Sequence, residues 1–330
     1  MNQKKRILVY GAGVIGSYLA HVLCTAGNEV SLLARGERKK ELEKRGLVIR
    51  HYLQKKTTRD YPLIVEAPDP ALEYDAVFAV MQWQQMYGIL DQLAAVASPL
   101  VILVGNNLSA AEMEGYIRRN SSRPKKIMFG FQGTGGRRVK EEVVCVRFGR
   151  GGMNIGSLHE KPDRVLSETI AGFFRGSGYR LTYSSDMDSW YKCHAAFILP
   201  IAFVCYSVDC ELKRASAGQL KQLMEAVGEA YGMLEASGCS IQPEGDEAYF
   251  KKGPKKLLLY LLLKIMAKTA AGKLAASDHC RSAPAEIQAL DMEFQKLWAQ
   301  AGVRPGPAWQ ALEDGLPGWD VIRRRYNSRL

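Results

Sequence analysis

Apolar and polar positions change their period along this chain, and the change separates an N-terminal part built of strands from a C-terminal part built of helices. Arg6–Tyr10 is one charged residue followed by an apolar run, the pattern of a buried strand, and Gly11 to Gly16 then leads into a helical pattern through Ala20. Gly27 reads as a helix stop, and residues 29–34 form a second apolar strand, which completes a βαβ unit. Residues 74–81, with an acid at Asp75 near the start, and Leu100–Val104 are apolar runs of strand length, as expected of parallel strands covered on both faces. A helix is predicted between them over residues 86–97. Residues 47–50 and Leu63–Val65 read as two short strands around a polar turn, a helix-free hairpin. Residues 127–131, 142–147 and 154–156, separated by glycine-rich turns, predict a mixed edge to the same sheet.

From Asp186 onward apolar residues recur at three- and four-residue spacing, clearest over residues 220–236 and 287–301. Residues 257–263, flanked by Lys255, Lys256 and Lys264, predict a core helix. The longest apolar stretch, residues 195–204, is interrupted by Pro200 and is too short to span a bilayer. The fold class that follows is an α/β Rossmann-like doubly wound sheet over residues 1–184 and an all-α domain over residues 185–330, with the boundary near Tyr183 to Asp186.

Composition narrows the chemistry by exclusion. The 330 residues are 47% hydrophobic and 24% charged, ordinary values for folded globular domains. A net charge of +11 invites a nucleic-acid or membrane partner. The basic residues, however, are scattered among acids and lack interleaved aromatics, so neither partner is expected. Seven cysteines without a CxxC pair point to reduced thiols in the cytoplasm, and a strand starting at the sixth residue leaves no room for a signal peptide. The five histidines show no metal-ligand spacing, and no metal is expected.

Gly11-Ala12-Gly13-Val14-Ile15-Gly16 carries the first positive signal. Gly11 permits a tight turn, Gly13 lets a pyrophosphate approach the backbone, and Gly16 lets the helix lie close to the strand. The helix N-terminus then offers unpaired N–H groups to an anion. At the end of the second strand, where an acidic residue would accept the ribose hydroxyls of NAD, the chain has Arg35, which suits the 2′-phosphate of NADP. Arg38, Lys39 and Lys40 follow it, and read either as further positive charge near that phosphate or as the solvated face of the next helix. Gln82 and Asn106 follow the strands at 74–81 and Leu100–Val104, so both belong at the carboxyl edge with the glycine loop.

This order, a glycine loop, an asparagine after the fifth buried strand, a glycine-rich β region and then a helical domain opening with Trp190-Tyr191-Lys192, resembles the ketopantoate reductase (2-dehydropantoate 2-reductase) family. Ala285-Glu286-Ile287 and the later Ala301-Gly302-Val303-Arg304-Pro305 add to the likeness. The resemblance implies reduction of a 2-keto acid to a 2-hydroxy acid with NADPH, and ketopantoate is the substrate it names first. It implies Lys192 as the proton donor to the ketone oxygen and Glu286 as the acid that meets the substrate hydroxyl. Asn106 would touch both cofactor and substrate, with Ala196 and Asp278 at further substrate positions. The helical domain is where a homodimer would form.

The departures matter as well. Gln82 stands where the family commonly has a lysine, Ala196 and the Leu199-Pro200 pair stand where it has asparagines, and Leu274 stands nearest to an expected serine. These changes leave open a reductase of a less polar ketone, and a non-catalytic NADP-binding redox sensor. Cys193-His194 is no dyad, because adjacent helical residues point to different faces.

Overall fold

A computed structural model describes residues 4–327. The chain divides into two compact units, Met1–Met187 and Asp188–Leu330. In chain order the first unit contains β1 Arg6–Tyr10, α1 Val14–Thr25, β2 Glu29–Leu33, α2 Gly36–Arg45, β3 Leu47–His51, β4 Lys56–Asp60, β5 Leu63–Val65 and β6 Ala76–Val80. It continues through α3 Trp83–Met86, α4 Leu90–Ala95, β7 Leu100–Val104, α5 Ala110–Asn120, β8 Lys126–Gln132, β9 Gly135–Val139, β10 Glu142–Val146, β11 Gly152–Gly156, α6 Arg164–Phe173 and β12 Arg180–Ser184.

Eight of these strands form one sheet in the order β12-β11-β8-β7-β6-β1-β2-β5. From β8 to β5 all neighbours are parallel, and β11 turns antiparallel to β8. Every residue of β6 and β7 is buried, which explains their unbroken apolar runs: helices cover both faces of a central parallel strand. The chain leaves β1 toward β2 on one side and later returns to β6 on the other. The sheet therefore has its topological switch point between β1 and β6, where ligands bind in doubly wound folds.

Two expectations need correction here. The strand at residues 47–50 does not pair with Leu63–Val65. β3 instead makes its hairpin with β4, register Leu47 to Asp60 and His51 to Lys56, while β5 joins the main sheet beside β2. The segment Lys-Thr-Thr-Arg-Asp carries no apolar run, and only backbone pairing with β3 makes it a strand. Likewise β10 does not extend the main sheet but pairs in parallel with β3 and antiparallel with β9, giving a second sheet of order β4-β3-β10-β9. The reason is packing. Tyr18, Leu19, Val22 and Leu23 of α1 share one core with Ile7, Val9 and Phe78 of the large sheet and Leu47, Ile49, Val143 and Cys145 of the small one. Each such side chain contributes about 1.5–3 kcal/mol of burial, so the helix needs an apolar cover on its outer side. The predicted helix over residues 86–97 is broken into α3, a 3₁₀ turn at Tyr87–Ile89 and α4.

The second unit is helical: α7 Met187–Ser207, α8 Ala217–Ala236, α9 Pro254–Lys268, α10 Ala270–Gly272, a π turn Lys273–Ser277, α11 Asp278–Ser282, α12 Pro284–Gln300, α13 Pro307–Asp314 and α14 Trp319–Asn327. Its core stacks Phe294 on Trp309 at 5.0 Å, with Phe203 and Trp298 edge-on to Trp309. Glu229 of α8 accepts from the N–H groups of Ala308 at 3.0 Å and Trp309 at 2.9 Å, capping α13 with a full charge. Residues 257–263 are not a core helix: in α9 Leu257, Leu258, Leu261, Leu262 and Ile265 are between 46% and 60% exposed. Composition alone could not distinguish the two, since α9 is apolar on its inner and outer faces alike. Among the described residues no helix is long and apolar enough to cross a membrane.

Candidate functional site

The glycine loop lies at the switch point of the large sheet, and its three glycines face different surroundings. Gly11 has φ +120°, and a Cβ there would stand 2.2 Å from the Val80 carbonyl oxygen at the end of β6. A Cβ on Gly16 would stand 1.9 Å from the Gly11 carbonyl oxygen, so α1 can approach β1 only without one. Gly13 differs: a Cβ there would meet nothing within 4 Å, and its backbone is extended with φ −72°. The space above Gly13 is thus open, a cradle that a methyl group would begin to fill. Gly13 is the N-cap of α1, no side chain caps it, and the first turn holds no acid, so this helix end suits an anion.

Three further predicted residues sit on the same carboxyl rim. Arg35, at the end of β2, is exposed, donating from Nη2 to the Tyr10 hydroxyl at 3.0 Å and from Nε to the Glu66 carbonyl at 3.1 Å. Those contacts hold the guanidinium beside the loop. Gln82 follows β6 as the N-cap of α3, and its Oε1 accepts from Gln84 at 2.8 Å. Asn106 follows β7 and is 8% exposed. Gly105 before it has φ +146°, and a Cβ there would come within 2.9 Å of the Met81 carbonyl, so the loops after β6 and β7 touch through backbone. Ala12, Val14 and Ile15 complete the loop and the start of α1.

Two residues that hold this rim escaped the sequence reading. Arg38 is 8% exposed, not solvated: its Nε donates to the Ala12 carbonyl at 3.3 Å, and Nη1 pairs with Glu41 at 3.1 Å. Burial lowers its pKa, with Glu41 opposing that shift. Gln132, in β8, donates to the Ile15 carbonyl at 3.2 Å and accepts from the Tyr179 hydroxyl at 2.8 Å. Nothing in the local sequence marks either residue, since both act across long separations. Lys39 and Lys40 do pair on the outer face, with Glu66 and Glu37.

In the helical unit, Lys192 lies on α7 with its ammonium 2.5 Å from Asp188 Oδ2, one turn earlier. That partner was legible as an i,i+4 pair. One face of α7 carries Trp190 and His194, whose rings stack at 4.9 Å. Burial, with His279 adding to it, pushes His194 down to about 3, so its imidazole is neutral. His279 of α11 reaches the Glu286 carboxylate at 3.8 Å, and Glu286, in the first turn of α12, is 4% exposed. Asp278 opens α11 and is 7% exposed, while Ala196 on α7 is fully buried. The Tyr206 hydroxyl donates to the Cys280 carbonyl at 2.9 Å, which ties α7 to α11. Chemically, α7 offers an ammonium held by a carboxylate, and α11 and α12 offer a buried acid beside an imidazole.

Comparison with known proteins agrees with the geometry. Residues 7–160 match the family model described as ketopantoate reductase PanE/ApbA. Among solved structures, the PanE/ApbA family ketopantoate reductase from Ralstonia eutropha JMP134 is similar, with a TM-score of 0.73 at 16% identity over 98% of this chain and 99% of that one. The 2-dehydropantoate 2-reductase from Geobacter metallireducens GS-15 matches with a TM-score of 0.69 at 18% identity, over 94% and 98%. A D-mandelate dehydrogenase solved with NADH and anilino(oxo)acetate matches with a TM-score of 0.72 at 16% identity, over 98% and 99%. At these identities the likeness is one of fold. No curated protein matches the chain by sequence.

Proposed function

We propose that this chain, whose residues 7–160 match the ketopantoate reductase family model, reduces a 2-keto acid to a 2-hydroxy acid with NADPH, with 2-dehydropantoate as the first substrate to test. One observation carries the reading: the open cradle at Gly13 lies at the switch point of the parallel sheet, on the rim that also bears Arg35, Gln82 and Asn106. The uncapped N–H groups of α1 would hold the pyrophosphate, and Arg35 would meet the 2′-phosphate. When bound, NADPH supplies the hydride.

The rest of the chemistry falls to side chains of the helical unit. Lys192 gives its proton to the ketone oxygen as negative charge develops there, and Asp188 holds the ammonium in position. Glu286 accepts from the substrate hydroxyl, with His279 beside it. Asn106 and Asp278 orient the substrate, and Ala196 makes its position apolar. That substitution favours a second substrate class, a 2-keto acid with an apolar or aromatic side chain. A homodimer through the helical unit and a cytoplasmic setting complete the proposal.

A panel of 2-keto acids assayed with NADPH tests it, alongside Lys192→Ala. Turnover of one or more of them, with kcat falling about 10²–10⁴-fold in the variant, is the expected result. Tight NADPH binding without turnover of any ketone would leave only a cofactor-binding sensor.

A further inference from the structure

Seven cysteines scattered along the sequence suggested isolated thiols, and all seven are free. Two of them nevertheless meet. Cys193 lies on α7 next to Lys192 and has no exposed surface, while Cys239 lies in the turn after α8 and is half-buried. Their thiols lie close enough to shift each other's ionisation. Both Sγ atoms also lie 3.8 Å from one acceptor, the Ser240 carbonyl. The Gln242 N–H donates to Cys193 Sγ at 3.4 Å, and the Cys239 N–H donates to the Leu234 carbonyl at 2.9 Å, which fixes the main chain that carries Cys239.

The surroundings divide the labour between the two thiols. Cys239 is drawn down to about 7 by the Cys193 thiol first, with Ser189 and the Lys192 ammonium also favouring the thiolate and burial and Asp188 opposing it. Cys193 is driven upward by the contact with Cys239 and by burial, with Asp246 adding to the shift. A half-buried thiol whose surroundings favour the thiolate, beside a buried thiol whose surroundings disfavour it, is the arrangement of an attacking and a resolving cysteine.

We infer that Cys193 and Cys239 form a peroxide-reactive dithiol, with Cys239 as the attacking sulfur and Cys193 as the resolving one. The Cys239 thiolate attacks the terminal oxygen of a hydroperoxide, the O–O bond breaks, and the departing alkoxide or hydroxide takes a proton to leave as alcohol or water. Cys239 is then a sulfenic acid. The Cys193 sulfur loses its proton and attacks the Cys239 sulfur, the S–O bond breaks, and hydroxide leaves with that proton as water. Two thiols have given up two electrons and two protons, and the hydroperoxide has been reduced. The disulfide would tether α7, one residue from Lys192, to the turn after α8. These contacts lie wholly within the helical unit, so the inference does not rest on the reductase reading.

The test treats the full-length protein with hydrogen peroxide, alkylates the remaining thiols under denaturing conditions and maps the peptides by mass spectrometry. A linked pair containing Cys193 and Cys239 is expected, with Cys239→Ser abolishing the link and Cys193→Ala leaving Cys239 as a sulfenic acid that dimedone captures. Before oxidation, iodoacetamide should alkylate Cys239 with a midpoint near pH 7, where an ordinary thiol titrates at about 8.5. Cys205 and Cys280 are both buried, and Cys205 and burial push the Cys280 thiol far up, so this pair stays reduced and serves as the internal control. A peroxide-treated protein without the 193–239 link would overturn the inference. So would an unchanged loss of thiols in Cys239→Ser, or, should Cys193→Ala fail to fold, an alkylation midpoint of Cys239 no lower than that of a free thiol.

Discussion

Gly13→Ala and Gly16→Ala change the same loop by the same methyl group, and the structure assigns them opposite consequences. At Gly16 the new Cβ would stand 1.9 Å from the Gly11 carbonyl oxygen, so α1 must move away from β1 by more than an ångström. Overpacking of that kind costs about 1–3 kcal/mol or more. At Gly13 the Cβ meets no protein atom within 4 Å, and the extended backbone there is open to any residue. Reduced freedom of the unfolded chain contributes about 0.4–1 kcal/mol of stability, offset by a few tenths for alanine at an N-cap, so the net change is small. The methyl group does, however, occupy the cradle where a pyrophosphate would rest. Losing one charge-assisted backbone hydrogen bond, about 1.5–3 kcal/mol, weakens NADPH about 10- to 100-fold. Urea unfolding followed by fluorescence, with NADPH titrated against each folded variant, separates the two effects. A Gly13→Ala protein that binds NADPH as tightly as the parent would refute the placement of the cofactor on this loop.

Other outcomes follow from particular contacts. Arg35→Ala should weaken NADPH by about tenfold or more while leaving NADH nearly unchanged, as measured by paired titrations of the two cofactors. Glu229→Ala removes the carboxylate that accepts from Ala308 and Trp309, and should lower stability by about 2 kcal/mol in denaturant unfolding. Acid should destabilise the fold. His51 has no exposed surface, and burial, then the Arg147 guanidinium, push it down to about 4. Above pH 7 the ring is neutral folded or unfolded. Below about 6.5 the unfolded chain takes up a proton that the folded chain refuses, which costs about 2 kcal/mol by pH 5. His194 acts in the same direction. Thermal unfolding from pH 8 to pH 5 checks this, and His51→Gln should flatten the profile. A stability that rises toward pH 5 would contradict it.

Most of the strand and helix pattern was legible because it depends on period and on turn chemistry, both local. β1, β2, β6 and β7 fall where their apolar runs lie, and α8 and α12 follow the three- and four-residue spacing at 220–236 and 287–301. The position of the rim proposed for the cofactor was legible for a related reason. In a parallel sheet every strand ends on the same edge, so the order Gly11, Arg35, Gln82, Asn106 along the chain already places four residues on one rim. The Lys192 and Asp188 pair could have been read from its spacing.

What stayed hidden depends on which surfaces meet in space. Whether β10 joined the large sheet or a second one turned on the need to cover the outer face of α1, and no local pattern encodes that need. The polar β4 exists as a strand because β3 supplies its backbone partners. Arg38 looks like a surface charge until the Ala12 carbonyl is seen beside it. The leucines of α9 look like core until their exposure is measured. Cys193 and Cys239 are far apart in the chain, and only the packing of α7 against the turn after α8 brings their sulfurs to one carbonyl. Sequence by itself thus determined the elements, the glycine loop and the family resemblance they carry, because short-range sterics and hydrophobic period act within a few residues. Tertiary structure decided the second sheet, the buried charges and the thiol pair, because contact energies depend on distances that chain order does not specify.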